Sequence, residues 1–448
     1  MATAVETAAE GIRQGRIAPW YLAYLILGLL TAGLLPFLLP LMVAGVSHRP
    51  GEVAYVSGAY NLGLLGAPFL GRLAERRHVY RPVFFGGFFT LGVAFALFPF
   101  AGTLAAWFLL ALAIGLATGA AATVATLFIV NFAPRREWEP RLGWLQSFNG
   151  AGQFAGLLVA GLVAGGAYVG GFILASALAF AAIVLGGIGL PPGARQRLRG
   201  GLSDMQMQAL LSATQLGPGI GGLLRHSHRL HWRALLALHR PLRGAFGRFL
   251  LAWAAYNFGV AAFFAYYPLL MRRSYGIPAP VTAFAYAAAA GIGIFLFVAA
   301  GRLTGRYGGE AVFRAGLALR LAGFVLLALP FAFTLPGLHP LPAVVAASVA
   351  LLGFALAMMA WPVLSVSGTA LAAGLTPISE GAAIGLLNAS GALAMVAGTF
   401  LGGPMVRLFG YASLPPLAIA GLAASALLMS WRVPTPEPGA PAAAETAG

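Results

Sequence analysis

Residues 82–134 read PVFFGGFFTLGVAFALFPFAGTLAAWFLLALAIGLATGAAATVATLFIVNFAP, with no Asp, Glu, Lys or Arg between Arg81 and Arg135. A helix needs about 20 apolar residues to cross the hydrocarbon core of a bilayer, so this stretch has room for two crossings. The turn between them falls near Gly102-Thr103. Outward from it the same pattern repeats. Charge-free stretches at 17–48 and 53–71 give one span each, and 142–194 gives two, broken at the glycines of 165–171. Residues 249–271 and 274–301 give one each. Residues 321–379 give two, parted near Pro336–Pro342, the first of them starting back near Val312; 381–406 and 408–431 supply the last pair.

The predicted fold is therefore an all-α integral membrane protein with twelve transmembrane helices in two pseudo-symmetric six-helix bundles. The bundles occupy 19–190 and 247–432. Segment 1–18 precedes them, a basic central loop 191–246 joins them, and a Pro- and Ala-rich tail 433–448 reads as disordered. The N-terminal residues lack the apolar core and cleavage site of a signal peptide, so the first span is expected to stay in place.

Composition agrees. Of 448 residues, 60% are hydrophobic and 8% charged, where a soluble domain runs near ~25% charged. So few charges cannot cover a water-facing surface, which excludes a soluble enzyme. Cysteine is absent, which removes disulfides, thiol catalysis and cysteine-ligated metals. The 27 basic residues are all Arg, against 11 acids, for a net charge of +16. With both termini placed in the cytoplasm, 23 Arg fall inside and four (Arg49, Arg272, Arg273, Arg407) outside. Basic residues concentrate in cytoplasmic loops, so the expected location is the cell (inner) membrane with both termini cytoplasmic. The charge is thereby explained without nucleic acid as a partner.

The two bundles repeat one another. Gly71-Arg72-Leu73-Ala74-Glu75-Arg76-Arg77 follows the second span, and Gly301-Arg302-Leu303-Thr304-Gly305-Arg306-Tyr307-Gly308 follows the eighth. Asn149-x-x-Gly152 in the fifth span matches Asn388-x-x-Gly391 in the eleventh, and Pro40 in the first matches Pro268 in the seventh. Parallel duplication of a six-helix unit is a transporter architecture. Over roughly 17–432 the chain resembles the major facilitator superfamily, whose loop after span two reads G-x-L-a-D-R-x-G-R-R. Gly71, Leu73, Ala74 and Arg76 match, Glu75 replaces the Asp, His78 stands for the later Gly, and Arg81 serves for the late basic residues. The second copy keeps Gly301, Leu303, Arg306 and Gly308 but has Gly305 at the acid's position. The resemblance implies that Glu75, with Arg76 or another cytoplasmic Arg, holds the cytoplasmic side closed in the first half alone. Ala111 stands where drug/proton antiporters of the family carry an Arg, and Gly150-Ala151-Gly152-Gln153-Phe154-Ala155-Gly156 lacks their span-five proline, so no subfamily is assigned.

Ionisable groups within the membrane mark coupling sites. No acid and no His falls mid-span here, which disfavours a cationic substrate and a carboxylate proton relay. Arg320 lies inside the membrane boundary. Its expected course is to snorkel to the cytoplasmic headgroups about two turns away; the functional alternative is an anion site or a salt-bridge gate. Arg314, four residues after Glu310, reads as an ordinary helix-surface pair.

Gln146, Asn149 and Gln153 share one face of span five, and must face protein or a water-filled cavity. They serve either the substrate or interhelical hydrogen bonds, with Gly150, Gly152 and Gly156 allowing close approach; Asn388 supports either. In the family, spans one, four, seven and ten line the cavity. On span seven, Tyr256 and Asn257 are read as cavity residues, and Tyr266 and Tyr267 as part of an aromatic belt. On span ten, Trp361 beside Pro362 is a moving part or a plain kink.

The central loop carries a basic amphipathic helix at 222–239, suited to anionic inner-leaflet lipid. Its histidines (His226, His228, His231, His239) have no ligand spacing, so neither metal nor cofactor is expected. No phosphate-binding loop occurs. The sequence thus reads as a monomeric secondary transporter moving a small neutral, amphiphilic or anionic molecule by alternating access, with efflux as first choice. The rivals are uptake of a sugar or organic anion, and a non-transporting assembly factor on the same fold.

Overall fold

The computed structural model describes residues 19–77, 79–132, 137–188, 244–334, 336, 339–376 and 380–430. The central amphipathic helix, its histidines and the tail lie outside them. All regular structure among the described residues is helical. In chain order the helices are α1 (Tyr21–Ser47), α2 (Pro50–Leu64, resuming after a turn as Ala67–Arg76), α3 (Tyr80–Phe100), α4 (Leu104–Phe132), α5 (Trp138–Val163) and α6 (Tyr168–Gly187). The second half supplies α7 (Ala245–Tyr275), α8 (Ala279–Tyr307), α9 (Gly309–Ala332), α10 (Ala343–Leu375), α11 (Glu380–Phe409) and α12 (Tyr411–Ser430). Eleven are long and apolar enough to cross a membrane. The twelfth, α5, has 26 residues, about 39 Å of helix; its three amides and the charges of its first turn lower its apolarity.

Helix α1 is not uniform. Pro36 and Pro40 lack the N–H needed by carbonyls four residues earlier, and a proline ring crowds such a carbonyl. Immediately before Pro36 the helix widens into a π turn at Leu29–Leu34, a usual way of absorbing that misfit.

The pairing of helices has the symmetry the repeats imply. Within the first half α1 packs on α5 and α6, α2 on α4, and α3 on α4 and α6; each pair recurs six helices later, as α7 on α11 and α12, α8 on α10, and α9 on α10 and α12. Across the halves α2 meets α11 and α5 meets α8, pairs that interchange under the same relation. No hydrophobic force drives helices together inside lipid, so close van der Waals approach matters, and small residues permit it. A Cβ on Gly152 would lie 1.9 Å from the Leu25 carbonyl oxygen, and one on Gly156 2.2 Å from that of Leu29. The symmetric contact places Gly398 of α11 against the Phe258 carbonyl of α7, at 2.2 Å. Gly150, expected to join this seam, faces open space.

Contacts between the halves gather on the side away from the termini. Gly51 meets Gly403, Gly161 meets Phe284, and the rings of Phe37 and Tyr267 cross at 5.1 Å. Arg272 donates to the Tyr168 hydroxyl at 3.3 Å. Only the far segment of α1, Leu35–Ser47, packs substantially on α7. The interface is sealed there.

Candidate functional site

Beneath this seal lies a cavity of about 190 Å³ between α1, α2, α7, α8 and α11. Its two walls differ in chemistry. The first half contributes Thr31, Ser57, Tyr60 and Asn61, a band of hydroxyls and one amide, beside the apolar Leu35, Pro36, Leu39 and Pro40. The second half contributes the rings of Phe264, Tyr267 and Tyr286. Asn61 spans the join, donating from Nδ2 to Thr399 Oγ1 on α11 at 3.2 Å. Thr31 sits in the π turn and donates to the Leu27 carbonyl at 2.8 Å, and its side chain also meets the Tyr60 hydroxyl.

Tyr266 and Tyr267 are buried, at 0% and 1% exposure, which corrects the aromatic-belt expectation. Their stretch of α7 faces α1 and α2, where the hydroxyls meet protein. Tyr267 lines the cavity. The Tyr266 hydroxyl donates to the Pro50 carbonyl at 2.7 Å and accepts from the Ala54 N–H at 3.2 Å. These two groups stand four apart and would pair with each other in an uninterrupted helix. The tyrosine of one half is thus inserted into the first turn of α2 in the other.

Arg320 does not snorkel. It is 1% exposed and belongs to the stripe of α9 formed by Val312, Gly316, Arg320 and Phe324, all buried. That stripe faces protein, so the side chain has no course to the headgroups. Its guanidinium lies 5.2 Å from the Tyr256 ring centroid and 5.3 Å from that of Phe264, and donates from Nη1 to the Tyr256 hydroxyl. Nε has no hydrogen-bond partner. The acids described with their side chains are engaged elsewhere: Glu52 with Arg49, Glu137 with Arg141, Glu310 with Arg314. Arginine stays protonated in proteins. Burying such a charge without a counter-ion costs several kcal/mol, and two ring faces return about 2 kcal/mol each at most.

The remaining residues singled out in the sequence divide as follows. Tyr256 is buried beside Arg320, and Trp253 lies 5.5 Å from it and 6.4 Å from Trp361, ring to ring. Asn257 is buried and donates to the Trp253 carbonyl of its own helix at 2.8 Å. Gly391 makes room for the Trp253 indole: a Cβ there would lie 2.6 Å from Nε1. Gln146, Asn149, Gln153, Trp361 and Asn388 are half-buried, and the walls of the cavity come from other residues. Gly71 lets α2 approach Thr123 of α4, at 2.6 Å for a Cβ. Arg76 is exposed and Arg81 half-buried; the Glu75 side chain lies outside the described residues. Gly301 is exposed, as is Arg306, which lies over the Tyr307 ring at 5.2 Å. Arg314 pairs with Glu310 as the spacing predicts, and also donates to the Met429 carbonyl of α12 at 2.7 Å.

Thr31, Ser57, Tyr60, Asn61 and Tyr286 were not singled out in the sequence. The available signal was Ser57, Tyr60 and Asn61 at i, i+3 and i+4 on span two, a polar stripe in a short span.

A sequence profile of the Major Facilitator Superfamily matches residues 20–367. No curated protein sequence matches the chain. Solved structures with the same fold include the nucleoside transporter NupG, at 14% identity and a TM-score of 0.67, covering 92% of this chain and 96% of that one. A D-xylose–proton symporter stands at 17% identity and a TM-score of 0.66, covering 93% and 97%. With the profile spanning well over half its length, the chain belongs to the major facilitator superfamily, whose members are transporters rather than enzymes.

Proposed function

We propose that the protein carries a small amphiphilic organic solute by alternating access, using the cavity under the far-side seal as its binding site. One observation supports this above others. The cavity lies at the junction of the halves, with a hydrogen-bonding wall on one and an aromatic wall on the other, so a solute with a polar edge and an apolar body touches both. Its volume is below the ~300–1,000 Å³ of drug-sized sites, which favours a small solute. Gln146, Asn149, Gln153, Trp361 and Asn388 are assigned to the path between cavity and termini. Glu75 and Arg76 are assigned to closing that path, with lipid at the central loop and the monomer as the working unit.

Export is the direction we propose, and a state closed on the side opposite the termini is the one in which an outbound solute would load. Reconstituted vesicles loaded with a solute panel test both points. Ser57→Trp fills the cavity and should abolish flux; flux that persists at wild-type rate rules the cavity out. Solved structures named for nucleoside and for D-xylose–proton transport share the fold, so nucleosides and pentoses belong in the panel.

The assignment of the termini to the cytoplasm rests on the 23-to-4 division of Arg. The chain has no cysteine, so a single cysteine placed at Gly219 reports cleanly. It should resist an impermeant thiol reagent in intact cells and react after lysis. Ready labelling of intact cells would invert the orientation.

A further inference from the structure

We infer that Arg320 makes the cavity select anions, so that the transported solute carries a carboxylate, sulfonate or phosphate group. The inference rests on the cavity reading above and adds the sign of the substrate's charge. Phe264 is shared by both sites. Phe264 lines the cavity, and the guanidinium lies 5.3 Å from its ring centroid. The cation therefore stands within one side chain of the cavity. It is 1% exposed, has an Nε without a partner, and is not paired with any of the acids described with their side chains.

With no counter-ion among the acids described with their side chains, the field of this buried charge reaches into the cavity that Phe264 lines. An anion in the cavity stands about 9 Å from the guanidinium, from the ring distance plus a van der Waals contact. At an effective dielectric of about 20, this favours an anion over its neutral isostere by about twentyfold. The Ser57 hydroxyl on the opposite wall can donate to the same anion, and no acid is among the residues lining the cavity. The transporter's distribution of basic residues acts in the same sense, because a basic mouth concentrates anions from solution.

The competing account is that Arg320 is only a brace between α7 and α9. A brace needs the hydrogen bond to Tyr256; anion selection needs the charge. Arg320→Gln retains a donor and removes the charge, and Arg320→Lys retains the charge.

The experiment measures the field and needs no knowledge of the substrate. Ser57→Cys puts one thiol in the cavity of an otherwise cysteine-free protein. Its reaction rate with anionic sulfonatoethyl methanethiosulfonate is divided by that with neutral methyl methanethiosulfonate, and the quotient is normalised to a free thiol in solution. Comparing this ratio between the Arg320 and Arg320→Gln proteins cancels the reagents' differences in size and access. The normalised ratio should exceed one by about twentyfold, fall toward one with Arg320→Gln, and be kept with Arg320→Lys. A ratio that changes by less than twofold with Arg320→Gln leaves the residue a brace and overturns the inference. If Arg320→Gln does not fold, the protein with native Arg320 decides alone: a normalised ratio of one or below overturns it. A thiol inert to the neutral reagent sinks the cavity reading and this inference together, whereas equal rates sink the inference alone.

Discussion

Gly152→Ala should prevent the first half from packing properly, although it adds a single methyl group. The new Cβ would lie 1.9 Å from the Leu25 carbonyl oxygen, far inside contact distance, and the obstacle is backbone that cannot rotate away. Helices α1 and α5 must then separate by more than an ångström along a seam that also holds Gly28, Gly33 and Gly156. Overpacking of this kind costs about 1–3 kcal/mol when a core can adjust and more when it cannot; about 3 kcal/mol is expected here. The control is Gly150→Ala on the same helix, where nothing lies within 4 Å and alanine improves helix propensity by about 1 kcal/mol. Thermal unfolding of the two purified variants, read by intrinsic fluorescence, makes the comparison. Gly152→Ala should melt several degrees lower or fail to accumulate. Equal melting of the two variants would show that the seam is not tight.

The second large effect concerns the far-side seal. Tyr266→Phe keeps the ring, which meets Tyr411 edge-on at 6.0 Å, and deletes the hydroxyl bonded to Pro50 and Ala54. Two hydrogen bonds at about 1 kcal/mol each are worth roughly thirtyfold in an equilibrium. The loss falls on the sealed state alone. Once the halves part, Pro50 and Ala54 can pair with each other as ordinary helical neighbours, so opening strands no backbone group. The variant should therefore shift toward the state open on the far side with little change in folding stability. A cysteine at Ser57, challenged with an impermeant reagent from that side, should label up to thirtyfold faster than in the Tyr266 protein. Unchanged labelling would reduce the hydroxyl to a cap on α2.

What the sequence reveals here depends on which physical signal each feature leaves. Spans are legible because lipid tolerates so few charges: the gaps between Arg residues mark nearly every helix. Duplication is legible because Gly71–Arg77 and Gly301–Gly308 keep the same spacing to their spans. Helix α5 is harder, since Gln146, Asn149 and Gln153 dilute its apolarity, yet its length and the glycines that face α1 complete the twelve. The cavity is less legible. Helical periodicity gives a residue's angle around its own helix, and in a bundle several angles lead to protein. Asn149 and Asn61 are both polar residues in spans, and only the arrangement of two halves puts Asn61 at their junction. Arg320 illustrates the same limit. Its depth was legible from the apolar residues on either side, but its burial depends on sharing a stripe with Gly316 and Phe324, a pattern that was present and outweighed by the ordinary habit of arginine near a membrane surface. Tyr266 sits at the depth of an aromatic belt, and its partner is the backbone of a helix more than two hundred residues away.

Apart from Arg272 on the Tyr168 hydroxyl, the contacts named in the far-side seal are neutral: crossed rings at Phe37 and Tyr267, glycines against backbone, and a hydroxyl on a carbonyl. Parting it exposes apolar surface to water, and such exposure carries a positive heat capacity. Where parting this side exposes more apolar surface than closing the other side buries, the balance between the two access states bends with temperature. Cooling weakens the apolar part of the closure, so the protein rests more often open on the far side in the cold, and warming tightens the seal until unfolding intervenes. Temperature alone is then expected to shift the side from which this transporter is accessible, a shift that labelling of a Ser57→Cys protein at two temperatures reads.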